Sequence, residues 1–225
     1  MANDPNLSLV SLVAHALGPL SAEFMLVGGC AVGLLITDQG RPSVRQTIDV
    51  DLVAEVTSLN DYYGSLRKLK GSGFKEAQSD DHMCRLKKGA LIVDVMPTQE
   101  VLGHSVNRWY AEAVKWARVM TLPAGETINV ISAPFFIATK FESFDSRGRG
   151  DFLHRDMEDI LNVVDGREEL LSELASSPVE VREFIREETD GYLADETFVD
   201  RLEWVFPQGR HEVVLRRLRQ LAGLP

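Results

Sequence analysis

Residues 45–53 read RQTIDVDLV and place two carboxylates, Asp49 and Asp51, inside a run of β-forming residues. Side chains two positions apart lie on the same side of a strand. Two like charges at that spacing repel each other, and they also lose hydration if they are partly buried. The stretch therefore predicts a strand whose acidic pair must be compensated by something positive.

The composition is that of a globular chain with one sizeable core or two small ones. The 225 residues are 44% hydrophobic and 26% charged. The start of the chain does not resemble a signal peptide, and no apolar run approaches the roughly 18 to 20 residues that cross a bilayer. The two cysteines, Cys30 and Cys84, fall in predicted regular elements. We therefore expect reduced thiols, a cytoplasmic protein and no membrane partner.

The net charge of −10 argues against general binding of nucleic acid, which needs Lys and Arg for phosphate contacts. The last predicted helix nevertheless concentrates arginines in RHEVVLRRLRQLAG, at Arg210, Arg216, Arg217 and Arg219. These cations suit a solvated face near a helix C-terminus, and an RNA contact is the alternative.

The patterning predicts an α+β part followed by a helical part. The first part has a small mixed sheet, with strands expected at 24–29, 47–56, 117–122 and 127–131, a hairpin over 82–98 that turns at Lys88-Gly89, and helices at 8–17, 30–38, 59–74 and 106–117. After Ser132 every segment favours helix, beginning with Pro134 in a first turn. We therefore predict an α+β domain over 1–131 and a helical domain over 132–225 that packs against it.

Two further features accompany the acidic pair. Gly28-Gly29 stands where a strand passes into a helix, which lets backbone N–H groups approach a ligand and favours an anion such as phosphate. Asp94 is a single acid inside the apolar strand LIVDVMPT, and a buried charge needs a partner.

Three carboxylates on two strands beside such a turn suit a divalent metal. Mg²⁺ is a hard cation that is bound by a few carboxylates, with substrate phosphates and waters completing its shell. It would also remove the repulsion between Asp49 and Asp51. In a two-metal arrangement, one ion activates the attacking oxygen and the other holds the leaving pyrophosphate.

These motifs resemble those of the DNA-polymerase-β-type nucleotidyltransferase superfamily. Gly-Gly heads a helix, R-x-T-x-D-x-D lies on the next strand, and a third strand carries an Asp. The chain looks most like the bacterial abortive-infection-type (AbiEii-like) branch and its uncharacterised relatives. The resemblance runs from about Phe24 to about Val164.

The resemblance implies roles for individual residues. Asp49, Asp51 and Asp94 would be catalytic and ligate Mg²⁺, with Mn²⁺ as an alternative. Gly28 and Gly29 would hold the triphosphate of an NTP. Arg45 would meet phosphate or brace the site.

The helical part carries the other implied nucleotide contacts. They are Lys140 on its first helix and the basic-Asp-x-x-Asp pattern of Arg155, Asp156 and Asp159, where the relatives have lysine in place of the arginine. As alternatives, Lys140 extends from an apolar face and the later three residues form pairs within one helix.

The expected activity is Mg²⁺-dependent transfer of a nucleoside monophosphate from an NTP, with release of pyrophosphate. The acceptor is a tRNA 3′ end, a protein hydroxyl or a small molecule. A different class of function also remains: a catalytically silent nucleotide-binding protein of a toxin–antitoxin or phage-defence pair, with an antitoxin as partner. An antibiotic-type small-molecule adenylyltransferase is a third.

Overall fold

The computed structural model describes residues 4–38, 40, 43–77, 84–101, 105–206 and 209–224. Within these ranges a seven-stranded mixed sheet with flanking helices precedes a run of helices, so the predicted α+β class is confirmed. The chain divides into two compact units, residues 1–34 with 42–132 and residues 35–41 with 133–225.

The first unit is built on its sheet. The strands are β1 (Phe24–Val27), β2 (Val50–Ala54), β3 (Lys75–Glu76), β4 (Arg85–Lys88), β5 (Leu91–Pro97), β6 (Arg118–Thr121) and β7 (Thr127–Val130), in the order β3-β4-β5-β2-β1-β7-β6. The pairs β2–β5 and β1–β7 are parallel and the other pairs are antiparallel. Every residue of β1 is buried, as expected for an apolar run at the centre of a covered sheet.

The helices of the first unit are α1 (Leu7–Leu17), α2 (Gly29–Leu35), α3 (Leu59–Gly71) and the short α4 (Tyr110–Ala113), with 3₁₀ turns at Gly18–Glu23 and Val114–Trp116. Ser58 caps α3, because its hydroxyl accepts a hydrogen bond from the backbone N–H of Asp61 at 3.2 Å. Helix α2 begins directly after β1, so the predicted Gly-Gly junction between strand and helix is confirmed.

The hairpin of β4 and β5 is confirmed, with its turn shifted by one residue. The turn is formed by Gly89 and Ala90 instead of Lys88 and Gly89, and only Gly89 has a positive φ, of 60°. This is the arrangement of a two-residue type II′ turn, which requires glycine at its first central position. The predicted hairpin residues 82–83 lie outside the described ranges.

Three other local predictions are corrected. The strand expected over 47–56 begins only at Val50, because Thr47 donates its backbone N–H to Asn6 Oδ1 at 2.8 Å and is held outside the ladder. The helix expected over 106–117 shrinks to α4 and a 3₁₀ turn, since Ala117 is already extended to enter β6. Cys84 lies in a turn before β4.

The second unit is helical, as predicted. Its helices are α5 (Ala133–Arg147), α6 (Arg155–Gly166), α7 (Leu170–Ala175), α8 (Val179–Leu193), α9 (Glu196–Val205) and α10 (Arg210–Leu221). The backbone of α5 is deeply embedded: residues 133–141 are all buried. Among the residues that the structure describes, no helix combines the length and apolar character needed to cross a bilayer.

Two arginines of α10 bind the C-terminal end of α6. Arg210 reaches Asp165 at 2.7 Å and Asp38 at 2.8 Å, and Arg217 donates to the carbonyl oxygen of Val164 at 2.9 Å. The backbone N–H of Thr37 donates to the carbonyl of Gly166 at 2.9 Å. These bonds explain why residues 35–41 belong to the helical unit. The other two arginines of α10, Arg216 and Arg219, are exposed.

Candidate functional site

Asp51 and Asp94 lie side by side in the sheet of the first unit. They are direct partners in the parallel register of β2 and β5, which puts both side chains on one face. On its other side, Asp51 is opposite Val27, the last residue of β1 before the Gly28-Gly29 junction. The sheet therefore brings two of the three predicted acids and the glycine junction to one place.

Arg85 connects Asp49, the third predicted acid, to Asp94. It lies opposite Asp94 in the antiparallel register of β4 and β5 and binds that carboxylate with two nitrogens, Nε to Oδ1 at 2.8 Å and Nη2 to Oδ2 at 2.7 Å. Nη2 also donates to Asp49 Oδ2 at 2.8 Å. Asp94 and Asp49 therefore face the same guanidinium, which supplies a positive charge to Asp94 and to Asp49 of the acidic pair.

The ion pairs around Arg85 are only partly shielded from water. The exposed fractions of the side chains are 16% for Arg85, 13% for Asp94 and 29% for Asp49. Charge-assisted bonds of this length in partial burial are stronger than ion pairs on an open surface. The carboxylate oxygens are of the hard type that Mg²⁺ prefers, and in this structure they are held by Arg85. Within the described ranges, no three His, Cys, Asp or Glu side chains are grouped so that they could hold a metal ion.

Asp49 lies in a bend just before β2 that is fixed by short polar side chains. Its carbonyl oxygen accepts hydrogen bonds from Thr47 Oγ1 and Cys30 Sγ, both at 3.3 Å. Burial raises the pKa of the Cys30 thiol to about 12, and nearby carboxylates including Asp51 add to the rise. Cys30 is therefore a neutral thiol that positions the bend and is not a nucleophile.

The two glycines make room for charged side chains. Gly28 has a φ of 66°, and a methyl group on its Cα would collide with the carboxylate of Asp51. A methyl group on Gly29 would meet Arg45 Nη2 and Thr47 Cγ2, each at 2.8 Å. The absence of side chains at this junction thus lets the carboxylate of Asp51 and the guanidinium of Arg45 lie directly against the backbone.

The structure places Lys140, Asp156 and Asp159 in a buried ion cluster of the second unit. Lys140 Nζ on α5 contacts Asp156 Oδ1 at 3.0 Å and Asp159 Oδ2 at 2.7 Å on α6. Arg147 donates to both oxygens of Asp156, at 2.7 and 2.9 Å. The Lys140 side chain is 8% exposed and the two aspartates are almost fully buried.

The Lys140 side chain is buried and does not extend to the surface, in contrast to one sequence-based alternative. Asp156 and Asp159 both contact Lys140 of α5, and Asp156 also contacts His154 at the start of its own helix. Arg155, at the start of α6, is exposed. The role of these four residues in binding a nucleotide stays a prediction.

The pKa of Asp156 reflects the cluster. Burial acts to raise it, but the hydrogen bond from Arg147 and the charge of Lys140 outweigh burial and hold it well below its ordinary value of 3.8. Since the pKa is lowered in the folded state, the stabilisation is complete above the ordinary value. It is lost as the pH falls through the folded-state pKa.

The sequence alone did not predict that Arg85 binds Asp49 and Asp94. A turn at Lys88-Gly89 would set Arg85 opposite Ile92, whereas the observed turn at Gly89-Ala90 sets it opposite Asp94. Recognising the type II′ preference for glycine in the first central position would have given the correct register.

Replacing Gly28 tests the packing of Asp51. The control is Gly89→Ala, at a glycine that also has a positive φ but has nothing near it. It should lower the free energy of unfolding by about 1–2 kcal/mol, the cost of a positive φ alone. Gly28→Ala should cost a further ~1–3 kcal/mol, since it also displaces Asp51. Urea denaturation measures both, and equal losses would show that Asp51 does not pack against Gly28.

Replacing Lys140 tests the buried cluster. Lys140→Met leaves two buried carboxylates with less compensation and should lower the free energy of unfolding by about 3–5 kcal/mol at neutral pH. The pKa of Asp156 then rises towards its unfolded-state value, so the variant should lose less stability than the wild type as the pH falls below that value. The control is Arg186→Met, which removes an exposed cation of the same unit and should change little. Urea denaturation across pH 3–7 measures both effects, and an unchanged acid limb would contradict the assignment.

Comparison with known proteins identifies the fold. No protein-family model and no curated protein sequence matches the chain. Among solved structures, the antibiotic-resistance factor ANT(2'')-Ia is similar over 84% of this chain and 94% of its own, at 15% identity and a TM-score of 0.50. The complex of ANT(2'')-Ia with adenylyl-2''-tobramycin is similar over 83% of this chain and 98% of its own, at 15% identity and a TM-score of 0.49.

An antigenic nucleotidyltransferase-like protein from Paracoccidioides brasiliensis is similar over 76% of this chain and 85% of its own, at 20% identity and a TM-score of 0.45. The predicted relation to the abortive-infection-type branch stays a prediction. At these identities the likeness concerns the fold alone: the chain is similar in fold to ANT(2'')-Ia.

Proposed function

We propose that the chain is a Mg²⁺-dependent nucleotidyltransferase that transfers a nucleoside monophosphate from an NTP to an acceptor and releases pyrophosphate. The observation that carries the proposal is the strand register that places Asp51 beside Asp94, next to Gly28, with Asp49 reached through Arg85. Acids on adjacent strands beside a glycine junction are the arrangement that metal-assisted phosphoryl chemistry needs.

The proposal assigns a role to each group in the first unit. The three acids are not grouped around a metal while Arg85 binds two of them; Asp49, Asp51 and Asp94 would hold the metal once Asp49 and Asp94 leave Arg85. The metal would neutralise phosphate charge and polarise the bond that breaks. Arg45 lies against Gly29 and can donate to phosphate oxygens with a planar guanidinium. Gly28 and Gly29 leave the backbone accessible at the same place, so the triphosphate would bind there.

A small molecule is the acceptor that we favour. ANT(2'')-Ia, which shares the fold, has been solved in complex with an adenylylated tobramycin. The net charge of −10 suits a cationic acceptor better than a tRNA 3′ end. A protein hydroxyl is the remaining acceptor class.

A second candidate function rests on Arg85. Because the guanidinium already binds two of the three acids, the chain could bind an NTP without consuming it, as a silent partner in a toxin–antitoxin or phage-defence pair. This function requires that the bonds of Arg85 persist when nucleotide is bound. The two candidates therefore differ in whether the NTP is consumed.

The experiment incubates the full chain with α-labelled NTPs and Mg²⁺, with aminoglycosides, tRNA or protein as acceptors. We expect labelled product from the wild type and a loss of at least about 100-fold in Asp51→Asn and Asp94→Asn, because a metal ligand matters more than its outer-shell support. The matched control is Glu76→Gln, which changes an exposed carboxylate of the same sheet and should leave transfer unchanged.

Each other outcome is decisive. Undiminished transfer by Asp51→Asn and Asp94→Asn would overturn the site. Calorimetry that shows NTP binding without turnover, under every acceptor condition, would favour the silent partner. A chain that neither binds nor consumes any NTP would refute both functions.

A further inference from the structure

Arg85 uses the same carboxylate oxygens that a metal would need. Its Nη2 donates to Asp94 Oδ2 and Asp49 Oδ2, at 2.7 and 2.8 Å, and its Nε binds the second oxygen of Asp94. An oxygen that accepts a short charge-assisted bond from a guanidinium has lost part of its capacity to ligate a cation. Arg85 and a metal ion therefore compete for these oxygens.

We propose that Arg85 is the counter-ion of the metal-free site and competes with the divalent cation for Asp49 and Asp94. The inference rests on the metal-binding part of the proposed function. Without a positive partner, the partly buried acids would repel one another and lose hydration. Arg85 therefore stabilises the folded first unit, and it lowers the affinity for a cation that arrives alone.

A nucleotide changes this balance. A guanidinium binds phosphate with the same paired geometry as carboxylate, so a triphosphate at the glycine junction offers Arg85 a second anionic partner. When Arg85 binds the phosphates, it leaves Asp49 and Asp94, which can then bind the cation. Because coupling between two ligands is reciprocal, nucleotide should tighten cation binding and the cation should tighten nucleotide binding by the same factor.

The test measures Mn²⁺ binding to the full chain without nucleotide, by electron paramagnetic resonance of free Mn²⁺. We expect Arg85→Met to bind Mn²⁺ at least about 10-fold more tightly than the wild type, because the acids lose their internal cation. Arg85→Lys keeps one charge but not the paired geometry and should fall between them. Lys68→Met is the control, since it removes a cation of the same unit whose partner is Glu23.

Two further measurements make the result specific. Asp94→Asn combined with Arg85→Met should abolish the gain in affinity. Circular dichroism verifies that each variant is folded, and if Arg85→Met is unfolded, the comparison of Arg85→Lys with the wild type decides. Added non-hydrolysable NTP should tighten Mn²⁺ binding more in the wild type than in Arg85→Met.

Equal or weaker Mn²⁺ binding by the folded Arg85 variants would overturn the proposal. The failure of this inference can be told apart from failure of the proposed function. If the wild type transfers nucleotide but Arg85 variants bind Mn²⁺ no more tightly, the counter-ion role fails and the function stands. If the Arg85 variants gain affinity but no protein transfers nucleotide, the counter-ion role stands and the activity fails.

Discussion

The guanidinium of Arg85 holds together three segments of the first unit. It is carried by β4, pairs with Asp94 on β5, and reaches Asp49 in the bend before β2. Because the strand order places β5 between β4 and β2, the arginine spans the middle strand to bind an acid beyond it. The backbone register of β2 and β5 places Asp51 beside Asp94, so the sheet and Arg85 together set the geometry of the candidate site.

The second unit also pairs aspartates with cationic side chains, but its aspartates are more deeply buried. Lys140 and Arg147 surround Asp156 in a cluster whose carboxylates are almost entirely removed from water. Such a pair resists exchange, since either partner left alone would be a buried charge. The acids around Arg85 are partly exposed, so a soluble ion can reach them and replace one cation by another. The two ion clusters therefore differ in the solvent access of their carboxylates.

Much of this arrangement could be predicted from the sequence because it is local. Alternating β-branched residues indicated β2, the glycines marked the start of α2, and the helical second part followed from its spacing. The positive partner of Asp49 and Asp94 could not be found in this way, because it depends on which residue of β4 stands opposite Asp94. The contacts of Lys140 were likewise missed, since they join two helices and no pattern within either helix encodes them.

The turn at Gly89 and Ala90 determines more than the direction of the chain. In a hairpin with two turn residues, the position of the turn along the chain fixes the partner of every residue in both strands. A turn formed one residue earlier would move Arg85 away from Asp94 without altering any charged residue. The position of this turn is therefore under the same constraint as the identity of the acids.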